Sequence, residues 1–274
     1  MELAIILSIV NVVVISVPLI IWLLRDCKLD FELTAETFLR LIDQGESLFA
    51  YGAIVPEGAA AKITDVTLRL VKIDDATKSY PLKVLAYGTR ERSFGISAEH
   101  YFYTRSPVHY LPMDEVYRPV WHCVLETYAS AIEKEFREWE NYLLDLKTKY
   151  ADAPSDDEDL KKKVEQVVEA RMNSLISAVM DKVQLERGVY RLEATIHYQP
   201  RGGPLRRRTM KTVARAIQFE ADERVRDNMK DSLKKYLQDS ATRALIDPNH
   251  FCRYPQYDPI SIRANPDALA VKSK

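Results

Sequence analysis

Apolar and polar positions alternate cleanly over residues 189–198, with Leu192, Ala194, Ile196 and Tyr198 set against Arg191, Glu193, Thr195 and His197. A period of two marks a strand with one face buried. Val66, Leu68 and Leu70 alternate with Thr67 and Arg69 in the same way within residues 63–73. Shorter runs at 47–55, 82–87, 100–104 and 206–219 also read as strands, each after a turn signal. Residues 29–45 fit either a short helix capped by Thr34 or a first strand.

The period changes near Pro119. Trp121, Leu125, Tyr128, Ile132, Phe136, Trp139, Leu143, Leu146 and Tyr150 recur at threes and fours, which predicts a long amphipathic helix. A polar break at 151–157 separates it from a matched pattern running from Leu160 to Val183. Two such arms predict an antiparallel, coiled-coil-like hairpin in which each covers the other's apolar stripe. A third amphipathic pattern occupies 220–246.

The chain begins differently. Residues 3–24 carry no charge, and Ser8, Asn11, Ser16 and Pro18 are the only polar or helix-breaking members. At about 1.5 Å per residue, such a run is long enough to cross a hydrocarbon core of about 30 Å. No basic start or small-residue cleavage site marks it as a signal peptide. Arg25 and Lys28 follow the run and favour a cytoplasmic location for the bulk of a single-pass chain; a periplasmic orientation is the alternative. Ser8 and Asn11 lie on one stripe and would be satisfied by facing another span, either of a second copy or of a membrane-protein partner.

These patterns predict an α+β architecture in six parts. They are a transmembrane anchor at 3–24, the first part of a β-sandwich at 29–110, a helical-hairpin insertion at 115–187, the last sandwich strands at 188–219, a C-terminal helix at 220–247 and a Pro-rich tail at 248–274. The closing strand pair resembles the end of an immunoglobulin-like sandwich in architecture, although the buried tryptophan and paired cysteines of antibody domains are missing.

Composition narrows the function. Lys and Arg total 39 against 40 Asp and Glu, so no global polyanion-binding charge is present, which disfavours nucleic acid. Cys27, Cys123 and Cys252 are odd in number and widely spaced, with no disulfide framework. The five histidines form no metal-ligand spacing, and residues 156–159 lack the glycine and the ligand spacing of a calcium loop. No phosphate loop, dinucleotide fingerprint or nucleophile elbow appears, so no cofactor, catalytic residue or small-molecule substrate is identified.

One charged feature stands out. Arg201, Arg206, Arg207, Arg208, Lys211 and Arg215 follow one another with no acidic residue between them. A basic turn of this kind suits anionic membrane lipid or an acidic partner; as a solvated turn it would also discourage edge pairing. Tyr128 and Tyr142 are candidate anchors on the hairpin surface. Together these features predict a non-enzymatic, membrane-anchored interaction or assembly protein that forms homo-oligomers. The alternatives are an oligomerising membrane effector or pore subunit, and a periplasm-facing envelope protein.

Overall fold

The computed structural model describes residues 12–21, 24–42, 45–75, 77–92, 99–104, 106–149, 158–201, 209–245 and 262–263. Residues 12–21 are helical and are labelled α1. Ten strands follow: β1 (Lys28–Ile42), β2 (Gly45–Glu57), β3 (Ala60–Lys72), β4 (Ser79–Arg92), β5 (Glu99–Thr104), β6 (His109–Leu111), β7 (Pro119–Leu125), β8 (Gly188–Arg201), β9 (Lys211–Ala221) and β10 (Ile262–Arg263). Helices α2 (Glu126–Lys149) and α3 (Glu158–Met180) lie between β7 and β8, and α4 (Glu223–Leu245) follows β9.

The strands form one antiparallel sheet in the order β1-β2-β7-β4-β3-β8-β9-β10, with β5 on β4 and β6 on β3. This sheet rolls until β1 comes to lie beside β9, giving a nearly closed barrel. The expected immunoglobulin-like sandwich is therefore replaced by a single curled sheet with one interior. Inward side chains fill that interior. Trp121, Phe31, Tyr190, Phe219 and Leu70 are all at most 2% exposed. Phe31 meets the Trp121 ring edge-on, with centroids 5.9 Å apart. Gly52 lets Trp121 in, because a Cβ there would stand 2.9 Å from Trp121 Cη2.

Trp121 also locates an error in the helical expectation. Residues 119–125 form β7, hydrogen-bonded between β2 and β4, and the helix starts only at Glu126. Pro119, Val120, Val124 and Leu125 are buried together with Trp121 and Cys123, so β7 is covered on both faces and shows no alternation. Trp121 and Leu125 are four apart and fit a helical stripe equally well.

The helices do not form a projecting hairpin or an isolated coiled coil. α4 packs against both α2 and α3; α2 meets the barrel through β2, β4 and β7, and α4 through β1 and β9. Ile132, Phe136, Val179, Leu233 and Leu237 supply the buried contacts. Asp222 caps α4 by accepting the Val225 amide at 3.1 Å. Arg226 donates to the Met180 carbonyl at 3.0 Å and satisfies an orphan acceptor at the end of α3.

The membrane anchor is also corrected. Among the described residues no helix is long and apolar enough to cross a membrane. The single-pass localisation, and the anchored-protein, membrane-effector and envelope-protein functions that rest on it, are set aside. Ser8 and Asn11 lie outside the described residues.

Candidate acidic-ligand surface

The barrel has two unlike ends. The helices sit at the end formed by the close of β7 and the start of β8. At the other end, the mouth, β1 begins and β8 ends, beside the β2–β3 connection. A strap crosses this mouth. β6 pairs with the start of β3, matching Lys62 to Tyr110 and Ala61 to Leu111. Six residues beyond Leu111, Tyr117 exchanges backbone hydrogen bonds with Ile54 of β2, at 2.8 and 2.9 Å. Asp114 makes the turn in the left-handed region, at φ 61°, and its amide donates to the Pro56 carbonyl at 2.9 Å. Leu111 is 3% exposed and seals the strap from within. His109 stacks on Tyr117 with centroids 4.4 Å apart. Burial pushes the Tyr117 hydroxyl up to about 12 and the His109 imidazole below its usual range.

The strap places Tyr110 beside two cations. On the outer face, Tyr110, Lys62 and Gln199 lie abreast across β6, β3 and β8. Lys62 Nζ lies 5.6 Å from the centre of the Tyr110 ring. The Arg201 guanidinium lies 5.3 Å from the same ring and donates to the Tyr110 hydroxyl at 3.1 Å. Arg201 Nε is buried without a hydrogen-bond partner. Among the described residues, neither Lys62 nor Arg201 has a carboxylate partner.

The same β3–β8 surface is arranged differently nearer the helices. There Glu193 accepts from Arg69 and pairs with Arg191 at 2.7 Å, and Glu186 bridges Lys72 and Lys78 at 2.9 and 2.7 Å. On this β3–β8 surface the cations nearer the helices therefore meet carboxylates, whereas Lys62 and Arg201 meet a tyrosine. Tyrosine gives both cations an aromatic face, and Arg201 a hydroxyl to donate to, without neutralising them, which leaves charge for an incoming anion.

The structure divides the six basic residues of the sequence. Arg201 joins the mouth surface. Lys211 turns inward to Asp26, at 2.7 Å, and to the Cys27 carbonyl, at 3.2 Å. Arg215 reaches Asp30 at 4.0 Å and donates to the Ala214 carbonyl. Arg206, Arg207 and Arg208 lie outside the described residues. Lys62 and Tyr110 enter the site, although sequence reasoning missed both: Tyr110 is one residue of a three-residue strand, and only its pairing with β3 puts it next to Lys62.

The hairpin candidates fall elsewhere. Tyr142 is half-buried on α2, 5.9 Å from Trp139 and 6.0 Å from the Arg171 guanidinium. It borders a cleft of about 70 Å³ between α2 and α3, lined by Glu135, Glu138, Trp139, Arg171 and Ser174. The charges of this cleft are matched internally, Glu138 to Arg171 at 3.5 Å and Glu135 to Lys182. The hydrogen bond from Lys182 holds the Glu135 carboxyl below its usual range. Tyr128 lies on α2, but its side chain is outside the described set.

No protein-family model matches this chain, and no curated protein matches it. Among solved structures, it is similar to a family 123 glycoside hydrolase from Clostridium perfringens, studied for glycolipid glycan hydrolysis. Identity is 7%, the TM-score is 0.28, and the alignment covers 72% of this chain but 27% of that one. The expectation of a non-enzymatic protein is set aside. At this score the likeness transfers no activity to the chain.

Proposed function

We propose that the barrel is a binding scaffold whose mouth takes up a carboxylate-rich segment of a protein partner. The observation that carries this reading is the pair Lys62 and Arg201, which share Tyr110 and have no carboxylate partner among the described residues. A carboxylate approaching Arg201 can accept two parallel N–H bonds, the geometry for which guanidinium is best suited. Lys62 adds a second charge, and the Tyr110 ring supplies a flat apolar face between them. A single acidic side chain offers too little at an exposed site, where one pair contributes about 0–1 kcal/mol. A run of acidic residues engages both cations together.

The test is fluorescence anisotropy with a labelled peptide of consecutive glutamates, titrated with the full chain and with Lys62→Ala and Arg201→Gln. We expect saturable, salt-sensitive binding that weakens at least fivefold in each variant, while Lys83→Ala on β4 binds as the parent does. Equal affinity in all four chains overturns the reading. So does a strong preference for a single-stranded oligonucleotide or for anionic phospholipid vesicles over the glutamate peptide.

A further inference from the structure

Outside residues 12–24, the exposed large apolar side chains among the described residues are Ile73, Val108, Tyr110, Val116, Leu144 and Met210. Four of these six border the mouth. Tyr110 and Val116 lie on the strap, Val108 leads into it, and Met210 immediately precedes β9. Two of the four form a row beside the cations. Val108 stands two residues before Tyr110, and Thr64 two residues after Lys62, on strands that pair Lys62 with Tyr110. The row therefore lies about 6.8 Å from Lys62 and Tyr110, nearer the helices. Met210 joins it from the β9 side, its Sδ 4.0 Å from Thr64 Oγ1. The Thr64 hydroxyl also donates to the His197 carbonyl at 3.0 Å, so the polar group of the row is satisfied within the sheet.

We infer that the acidic partner of this surface presents a large apolar side chain two residues from the carboxylate that meets Lys62 and Arg201, and that Val108 and Met210 cover it. The inference rests on the acidic-ligand reading and adds the spacing. In an extended segment, side chains two residues apart face the same way and stand about 6.8 Å apart. That equals the step from the cations to the apolar row, so an extended segment running along β3 meets both. Val108 is 44% and Met210 54% exposed, so each has apolar area to lose on contact. Charge selects the occupant. Lys62 and Arg201 have no carboxylate partner among the described residues, and residues 202–210, which join β8 to β9, hold three arginines and no carboxylate. A second copy docked by two-fold symmetry would set these cations against their own kind. A segment of mixed acidic and apolar character satisfies both rows.

The experiment is fluorescence anisotropy with three labelled peptides of equal charge that alternate glutamate and serine. One ends in a leucine two residues after its last glutamate, an isomer has the leucine directly after that glutamate, and the third has serine in both places. The full chain should bind the first at least tenfold more tightly than the other two. Val108→Ser or Met210→Ser, both at exposed positions, should remove most of that gain and leave binding of the leucine-free peptide unchanged. Equal affinity for the two leucine isomers overturns the inference, as does a gain that survives both substitutions; the glutamate-run peptide still binds in either case if the acidic-ligand reading holds. Failure of that glutamate run to bind removes the reading and the inference with it. Equally tight binding of the first peptide with glutamine in place of glutamate also overturns the inference, because the cations then play no part. So does a chain that sediments as a dimer and becomes monomeric with Val108→Ser, since the occupant is then a second copy.

Discussion

Lys211 Nζ stands 2.7 Å from Asp26 Oδ2, so the first residue of β9 is tied to the segment that leads into β1. Among the described residues no backbone ladder joins β1 to β9, and the seam between them is bridged by side chains. Arg215 reaches Asp30 farther along, and the Tyr198 hydroxyl accepts the Leu29 amide at 3.4 Å. Two residues that read as a ligand-binding patch in the sequence thus hold the barrel shut. Lys211→Met should destabilise the chain by about 1 kcal/mol, the scale of a partly exposed ion pair with one added hydrogen bond. Urea denaturation at low and high salt checks this; an unchanged midpoint at low salt contradicts it.

Gly52 and Trp121 make a second test of the barrel interior. A methyl at Gly52 would meet the indole at 2.9 Å and the Glu32 carbonyl at 3.1 Å. Gly52→Ala is expected to cost about 1–3 kcal/mol through overpacking. Trp121→Phe in the same chain should recover part of that cost, so the two changes are expected to be non-additive in thermal unfolding. Additive effects would mean that the ring does not face Gly52.

Acid stability should depend on Glu186. Hydrogen bonds from Lys78 and then Lys72 pull its carboxyl down to about 2 from an ordinary 4.5. A lowered folded-state value means that the stabilisation is complete above the unfolded-state value and disappears as pH falls through the folded one. The expected loss therefore lies between about pH 4.5 and pH 2. Comparing the midpoints of Glu186→Gln and the parent across this window checks it. The parent should fall more steeply, and parallel curves would contradict the assignment.

How far the fold was legible depends on one-sided burial. Strands β3 and β8 bury every second residue, and their alternation marked them correctly in the sequence. Strand β7 is covered on both faces, and Trp121 with Leu125 imitated a helical stripe. The α2 and α3 patterns were real, but periodicity cannot say what covers a stripe, so α4's place between them was invisible. Closure of the sheet was hidden for the same reason, because it rests on contacts such as Lys211–Asp26, 185 residues apart. The candidate site was half-legible. Arg201 stood out by charge, whereas its separation from Lys211 and its pairing with Tyr110 required the folded chain.

The two described thiols should be inert. Burial drives the Cys27 thiol up to about 11 and raises that of Cys123 further. Neither is disulfide-bonded, and both are buried. In a Cys252→Ser background at pH 8, a chromogenic disulfide reagent should label neither cysteine in the folded chain and both after unfolding in guanidinium. Rapid labelling of the folded chain would place Cys27 or Cys123 outside the barrel core.

The most direct measurement for the mouth as an acidic-ligand surface is photo-crosslinking. A glutamate-run peptide carrying a diazirine side chain is irradiated with the full chain, and the adducts are mapped by mass spectrometry. The account predicts adducts on β6 and the facing parts of β3 and β8, at Tyr110, Lys62 and Gln199, that are lost with Arg201→Gln. Adducts concentrated on α2 and α3, or spread evenly over the surface and unaffected by Arg201→Gln, would contradict it.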